Sequence, residues 1–163
     1  MPAVDLDAAL ASLQALLREL FHGAAAEGGT WILDRAPGSG LLDTLDALSA
    51  KEASARPVPG RATVAGHAHH LRFSLGLLNR WAGGENPFAG ADWPGSWRVQ
   101  TVDDAAWREL RDALRREALA WERAVVAPRT WEPMALTGAL ASAGHVAYHL
   151  GAIRQLAAAA RGR

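Results

Sequence analysis

Apolar residues recur at three- and four-residue steps in four separate stretches of this chain, each closed by glycine or proline, and that pattern restricts the fold to packed helices. From about Leu6 to Phe21, the residues Leu6, Leu10, Leu13, Leu17 and Leu20 share one face of a first helix, which Gly23 and Gly28-Gly29 interrupt. A second helix runs from about Thr63 to Trp81 and stops at Gly83-Gly84. Thr101 with Asp104 gives a capping-box start to a third, roughly Asp103 to Val126, marked by Trp107, Leu110, Leu114 and Trp121 and ended by Pro128. The fourth spans about Leu136 to Ala160 and carries Leu140, Tyr148, Ile153 and Leu156. No stretch alternates as a strand would, so the expected fold is an all-α helical bundle forming a single domain over residues 1–163.

Two connections are long. Trp31 to Arg61 is broken by Pro37-Gly38, Gly40, Pro57, Pro59 and Gly60, with a short helical turn near Leu41 to Leu48 and a small capping box between Ser49 and Glu52. A loop of this length inside a compact unit is a candidate wall or lid over a site. The connection after the second helix carries Pro87, Trp93-Pro94 and Trp97.

Seventeen basic and seventeen acidic residues cancel, so no field attracts nucleic acid or an anionic membrane. Arg108, Arg111, Arg115 and Arg116 are interleaved with Glu109, Asp112 and Glu117, as on a solvated face laced with ion pairs. The absence of cysteine removes disulfides, thiolate ligands and a cysteine nucleophile, and suits a reducing compartment. Asp5 and Asp7 interrupt any leader-like opening, which makes the cytoplasm the expected location. Ala135 to Ile153 is free of formal charge and long enough to cross a bilayer, yet its His145, His149, glycines and alanines read as a helix buried in protein.

The histidines carry the chemistry. His145 and His149 stand four apart on the fourth helix, so their rings leave adjacent turns on one side and can reach one ion. An imidazole left unpaired in a helical interior costs about 1–3 kcal/mol, and a shared metal ion is one way to satisfy it. The second helix supplies the facing partner. On its wheel His67 groups with Val64, Leu71, Ser74, Leu75 and Leu78, His70 and Leu77 lie on the shoulder, and His69, Arg72 and Arg80 point elsewhere. Three neutral imidazoles would leave a divalent cation with open positions, as catalytic sites do.

Val146 follows His145, so the glutamate of an HExxH protease is missing, and no glycine-rich phosphate loop occurs; the one lysine, Lys51, lies in a connection. Peptide and nucleoside-triphosphate hydrolysis are disfavoured. The seven tryptophans read chiefly as core caps, with some available for a pocket mouth, and His22 as a helix-terminal residue.

Thr63-Val64, His67, His70-Leu71 and Phe73, together with the run from His145 through Tyr148-His149-Leu150-Gly151 to Ile153-Arg154, resemble the DinB superfamily. The resemblance covers the helical order and most of the chain. It implies an up-down-down-up four-helix bundle with long loops after the first two helices, commonly a homodimer, holding one divalent nickel or zinc ion on His70, His145 and His149. The match to His70, followed by Leu71, competes with the wheel's preference for His67, which stays open as an alternative ligand or pocket residue, as does Tyr148 for the pocket. Relatives include metal-dependent transferases that join a low-molecular-weight thiol to an electrophile and thiol-dependent isomerases. Two readings follow for this chain: a metal-dependent thiol S-transferase or isomerase acting on a small electrophile, with Tyr148 and Arg154 orienting the substrate, or a noncatalytic, stress-associated helical dimer that binds a metal or small ligand. Both expect a small-molecule ligand and neither nucleic acid nor membrane.

Overall fold

A computed structural model describes residues 5–162; Met1 to Val4, on which part of the reading of the first residues falls, and Arg163 lie outside it. The described residues form α1 (Leu6–His22), α2 (Leu41–Asp46), α3 (Ala50–Ala53), α4 (Val64–Ala82), α5 (Asp104–Ala124) and α6 (Pro133–Ala160), with a single 3-10 turn at Gly95–Trp97 and no strand. The four long helices are the four sequence-predicted ones. The long first connection folds locally into α2 and α3, the latter opened by the expected reciprocal box in which Ser49 and Glu52 each accept from the other's backbone.

Local chemistry sets the helix limits. Thr63 caps α4 by accepting from the Gly66 amide at 3.1 Å. At α5 the cap is Asp103, which accepts from the Ala106 amide at 2.8 Å, and not Thr101: the first helical turn begins at Asp104, later than the expected box, so Asp103 is the residue beside its free amides. α6 starts one turn earlier than the apolar spacing suggests, because Pro133 at its first position has no amide proton to leave unpaired.

α4 packs against α5 and α6, and α1 closes on the same two helices. Leu17, Leu20 and Phe21 of α1, Leu71 and Leu75 of α4, Leu114 and Trp121 of α5, and Leu150 and Ile153 of α6 fill the common core, each almost wholly buried. The two core tryptophans bury their indole N–H groups with partners: Trp107 donates to the Leu48 carbonyl at 2.7 Å and Trp121 to the Ser142 hydroxyl at 2.9 Å. Leu6, Leu140 and Tyr148 depart from the expected apolar faces and are exposed. For the last two the cause is rotation: with Gly144 and Gly151 they form the outer side of α6, opposite the core. Among the described residues no helix is long and apolar enough to cross a membrane, and the uncharged part of α6 buries Ala139, Val146, Leu150 and Ile153 inside the protein.

Charges settle across elements more than along α5. Arg111 and Arg115 both reach Asp46 at the end of α2, at 3.2 and 2.5 Å, and Glu117 accepts from Asn79 of α4. His22 does not merely terminate α1 but meets Glu122 of α5 at 2.9 Å. The connection after α1 is fastened by buried Glu19, whose carboxylate accepts from the amides of Trp31, Ile32 and Leu33. Burial works to raise the Glu19 pKa, but these three donors outweigh it and hold the group below its ordinary value.

Candidate metal centre

His67 and His70 leave α4 one turn apart, and His145 and His149 leave α6 one turn apart, on the faces where the two helices meet. His67 lies against His149 and His70 against His145, so the helices run in opposite directions through the cluster. The Nε2 atom of His145 stands 3.2 Å from Nε2 of His70 and 2.9 Å from Nε2 of His149. One nitrogen from each of His70, His145 and His149 lies within 4.8 Å of the others, an arrangement able to hold a metal ion. Two nitrogens at ~2.0 Å from a tetrahedral ion stand roughly 3.3 Å apart, close to the spacings here.

The hydrogen bonds behind the rings orient these nitrogens. The Ser96 hydroxyl donates to the Trp93 carbonyl at 2.6 Å and therefore accepts from Nδ1–H of His70 at 2.7 Å. That leaves His70 Nε2 without a proton and its lone pair aimed at His145. His149 Nδ1 lies 2.7 Å from His67 Nδ1, so one of the two carries the shared proton. With that proton on His149, its Nε2 also offers a lone pair to the cluster. A single proton at the converging atoms makes one full hydrogen bond and leaves a further lone pair without a donor of its own, whereas a cation accepts from all three.

Electrostatics favour the neutral, ligand-competent rings. Burial drives the pKa of His149 down to about 3 and that of His70 to about 4, with the neighbouring histidines adding to both shifts, and burial alone lowers His67 and His145. His149 is 2% exposed, His70 7% and His67 8%, whereas His145 is only half-buried, so the cluster opens to solvent on the His145 side.

The sequence offers His67 and His70 as alternatives for the facing position. The structure buries both and gives them different places: His70 points its Nε2 into the cluster, and His67 stands behind His149. Tyr148 is exposed and forms a T-shaped pair with His149 at 5.0 Å between ring centroids. Arg154 is engaged elsewhere, in an ion pair with Asp34 of the first connection at 2.7 Å. The loop before α5 contributes what the sequence did not reveal. Trp97 stacks on His70 at 4.2 Å and 17°, Trp93 stands 6.2 Å away, and Ser96 between them orients the ring. This loop is moored by Gln100, which accepts from the Thr63 amide at 2.9 Å and donates to the Trp97 carbonyl at 2.7 Å. Gly66 makes that mooring possible, since a Cβ there would run into the Gln100 amide. No local motif announces Ser96; only the neighbouring Trp93-Pro94 and Trp97 signalled a structured loop.

A family model described as the DinB superfamily matches residues 32–153. No curated protein and no solved structure matches the chain.

Proposed function

The chain belongs to the DinB superfamily, and from that premise we propose that it binds one divalent metal ion, nickel or zinc, on His70, His145 and His149 and uses it as a metal-dependent thiol S-transferase or thiol-dependent isomerase acting on a small electrophile. The observation that carries the reading is the convergence of three neutral imidazole nitrogens, two of them buried, at the one place where the cluster meets solvent. The remainder of the family pattern belongs to the same reading: a single domain with up-down-down-up order of the long helices, and a cytoplasmic protein, in keeping with its lack of cysteine. A homodimer is supported by the outer side of α6, where Leu140, Gly144, Tyr148 and Gly151 form an exposed, uncharged face.

A bound divalent ion supplies Lewis acidity that keeps a thiol sulfur in its thiolate form near neutral pH. The chain's own residues do the rest. Ser96 and His67 hold the His70 and His149 rings in the tautomers that turn lone pairs inward. Trp97 covers the cluster on one side and restricts water, while the half-buried His145 marks the side from which thiol and electrophile enter. In the transfer, the thiol proton goes to solvent, sulfur supplies the electron pair for a new S–C bond, and the leaving group departs with the pair of the broken bond.

The test is reconstitution with nickel or zinc, followed by assay of low-molecular-weight thiols with 1-chloro-2,4-dinitrobenzene, reading release of chloride and formation of the thioether. Turnover that requires metal and is lost in His149→Ala supports the enzyme. Stoichiometric metal binding with no turnover across the thiols favours the second reading, a noncatalytic metal or small-ligand binding protein built on the same histidines.

A further inference from the structure

Beyond the histidine cluster, a cavity of about 770 Å³ lies between the C-terminal end of α4 and the N-terminal half of α6. Its walls include Trp81, Phe88, Met134, Gly138 and Ala141. The size lies within the range of small-molecule sites, roughly 300–1,000 Å³. Its floor on α6 is formed by the small, exposed residues Gly138 and Ala141, and nothing lies within 4 Å of where a Cβ on Gly138 would sit. Trp81 is held in place, its ring 5.5 Å from that of Trp131 with Arg129 above both at 5.3 and 5.4 Å. That wall is preorganised.

The cavity and the histidines share helix faces. Gly138, Ala141 and His145 follow one another at steps of three and four on α6, which places Ala141 about 6 Å and Gly138 about 10 Å along the axis from His145. On α4, running the other way, His70, Ser74, Leu77 and Trp81 form the matching stripe. The charged side chains in the lining are Glu85 and Glu132, without lysine, arginine or histidine; Glu85 is paired with Arg80 at 2.7 Å, and Arg129 is turned to the carbonyls of Ala82 and Ala124. Among the described residues the lining therefore offers no free cation to pair with an anionic ligand, whereas an uncharged aromatic or alkyl group meets indole, phenyl and thioether surface.

We propose that this cavity seats the uncharged aromatic or alkyl body of the small-molecule ligand, whose other end reaches the histidine cluster about 10 Å away. The substrate class is thus an elongated, uncharged, apolar molecule. This rests on the metal-centre reading above for the reactive end only, because the cavity's selectivity stands on its own residues.

The experiment uses the full chain and two fluorescent probes, neutral N-phenyl-1-naphthylamine and its anionic relative 1-anilinonaphthalene-8-sulfonate, with metal content measured on the same samples. The wild type is expected to bind the neutral probe saturably, one per chain, and more tightly than the anionic one. Gly138→Leu fills the floor and favours the helix, so it is expected to fold, keep its metal and weaken the neutral probe at least tenfold; Ala141→Met serves as a second occluding variant. In metal-loaded wild type, alkanethiols are expected to displace the probe with affinity rising up to about fourfold per added methylene, a gain lost in Gly138→Leu. Equal probe binding in wild type and both folded variants, or tighter binding of the anionic probe, overturns the proposal. A wild type that lacks metal but loses the neutral probe in Gly138→Leu sinks the metal-centre reading and leaves the cavity assignment standing.

Discussion

Replacing His67 separates a residue that orients the metal centre from one that merely fills space behind it. His67 Nδ1 lies 2.7 Å from His149 Nδ1, and the two rings are 8% and 2% exposed, so no solvent substitutes for the bond if it is lost. In His67→Phe the aromatic volume beside Trp97 is kept, but His149 Nδ1–H loses its acceptor. A buried orphan donor costs about 1–3 kcal/mol, and His149 can avoid that cost by moving its proton to Nε2, where it blocks the converging lone pair. Loss of a partner to a ligating histidine lowers metal affinity by about 10- to 100-fold, or roughly 1.4–2.8 kcal/mol, the same range reached from the hydrogen bond. His67→Asn places an amide oxygen near the position of the imidazole Nδ1 and is expected to recover most of the loss. Competition titration of zinc against a chromophoric chelator reads the affinities, and thermal unfolding of the metal-free proteins removes general destabilisation from the comparison. Wild-type affinity in His67→Phe, or an Asn variant as weak as Phe, would show that His67 does not orient the His149 ring.

Three other outcomes are expected. The metal-free protein loses stability on acidification: burial lowers the pKa of His149 to about 3 and of His70 to about 4 from 6.5, so below pH 6.5 the unfolded chain binds protons that the folded chain refuses. Stability should fall by up to about 1.4 kcal/mol per pH unit for each such histidine down to about pH 4, and identical unfolding midpoints at pH 7.5 and pH 5 in chelator would contradict this. Glu19→Gln replaces one acceptor of the Trp31–Leu33 amides with an NH2 group, with an expected loss of about 1–3 kcal/mol and faster amide exchange at those residues; unchanged exchange would show that the connection is held by other contacts. Gly66→Ala pushes against Gln100 and should cost about 1–3 kcal/mol in chemical denaturation while weakening zinc binding through Ser96, and an undisturbed affinity would disconnect the loop from the centre.

The parts of this architecture that repeat along the chain were legible in its sequence. Leu10, Leu13, Leu17 and Leu20 mark α1 because a helix returns to the same face every three or four residues, and the same rule puts His145 and His149 side by side. The wheel was less informative for α4. It placed His67 inside and His70 on the shoulder, yet both are buried, because the Trp93–Gln100 loop covers the shoulder and turns it into interior. Ser96 and Trp97 were invisible as site residues for the same reason: a loop's position depends on its moorings, here Gln100 on Thr63, and not on its own periodicity. The cap of α5 shows the limit at short range, since Thr101 and Asp103 both have capping chemistry and only the chain's path chooses Asp103. Leu140 and Tyr148 look like core residues until α6 is seen to have an apolar outer side as well.

The most direct test of the central claim is the metal content, by mass spectrometry, of protein purified without a metal-affinity step, wild type beside His149→Ala. About one nickel or zinc ion per chain is expected in the wild type, and its loss in the variant. No bound metal in the wild type, together with no uptake from zinc or nickel at micromolar concentration, would contradict the claim.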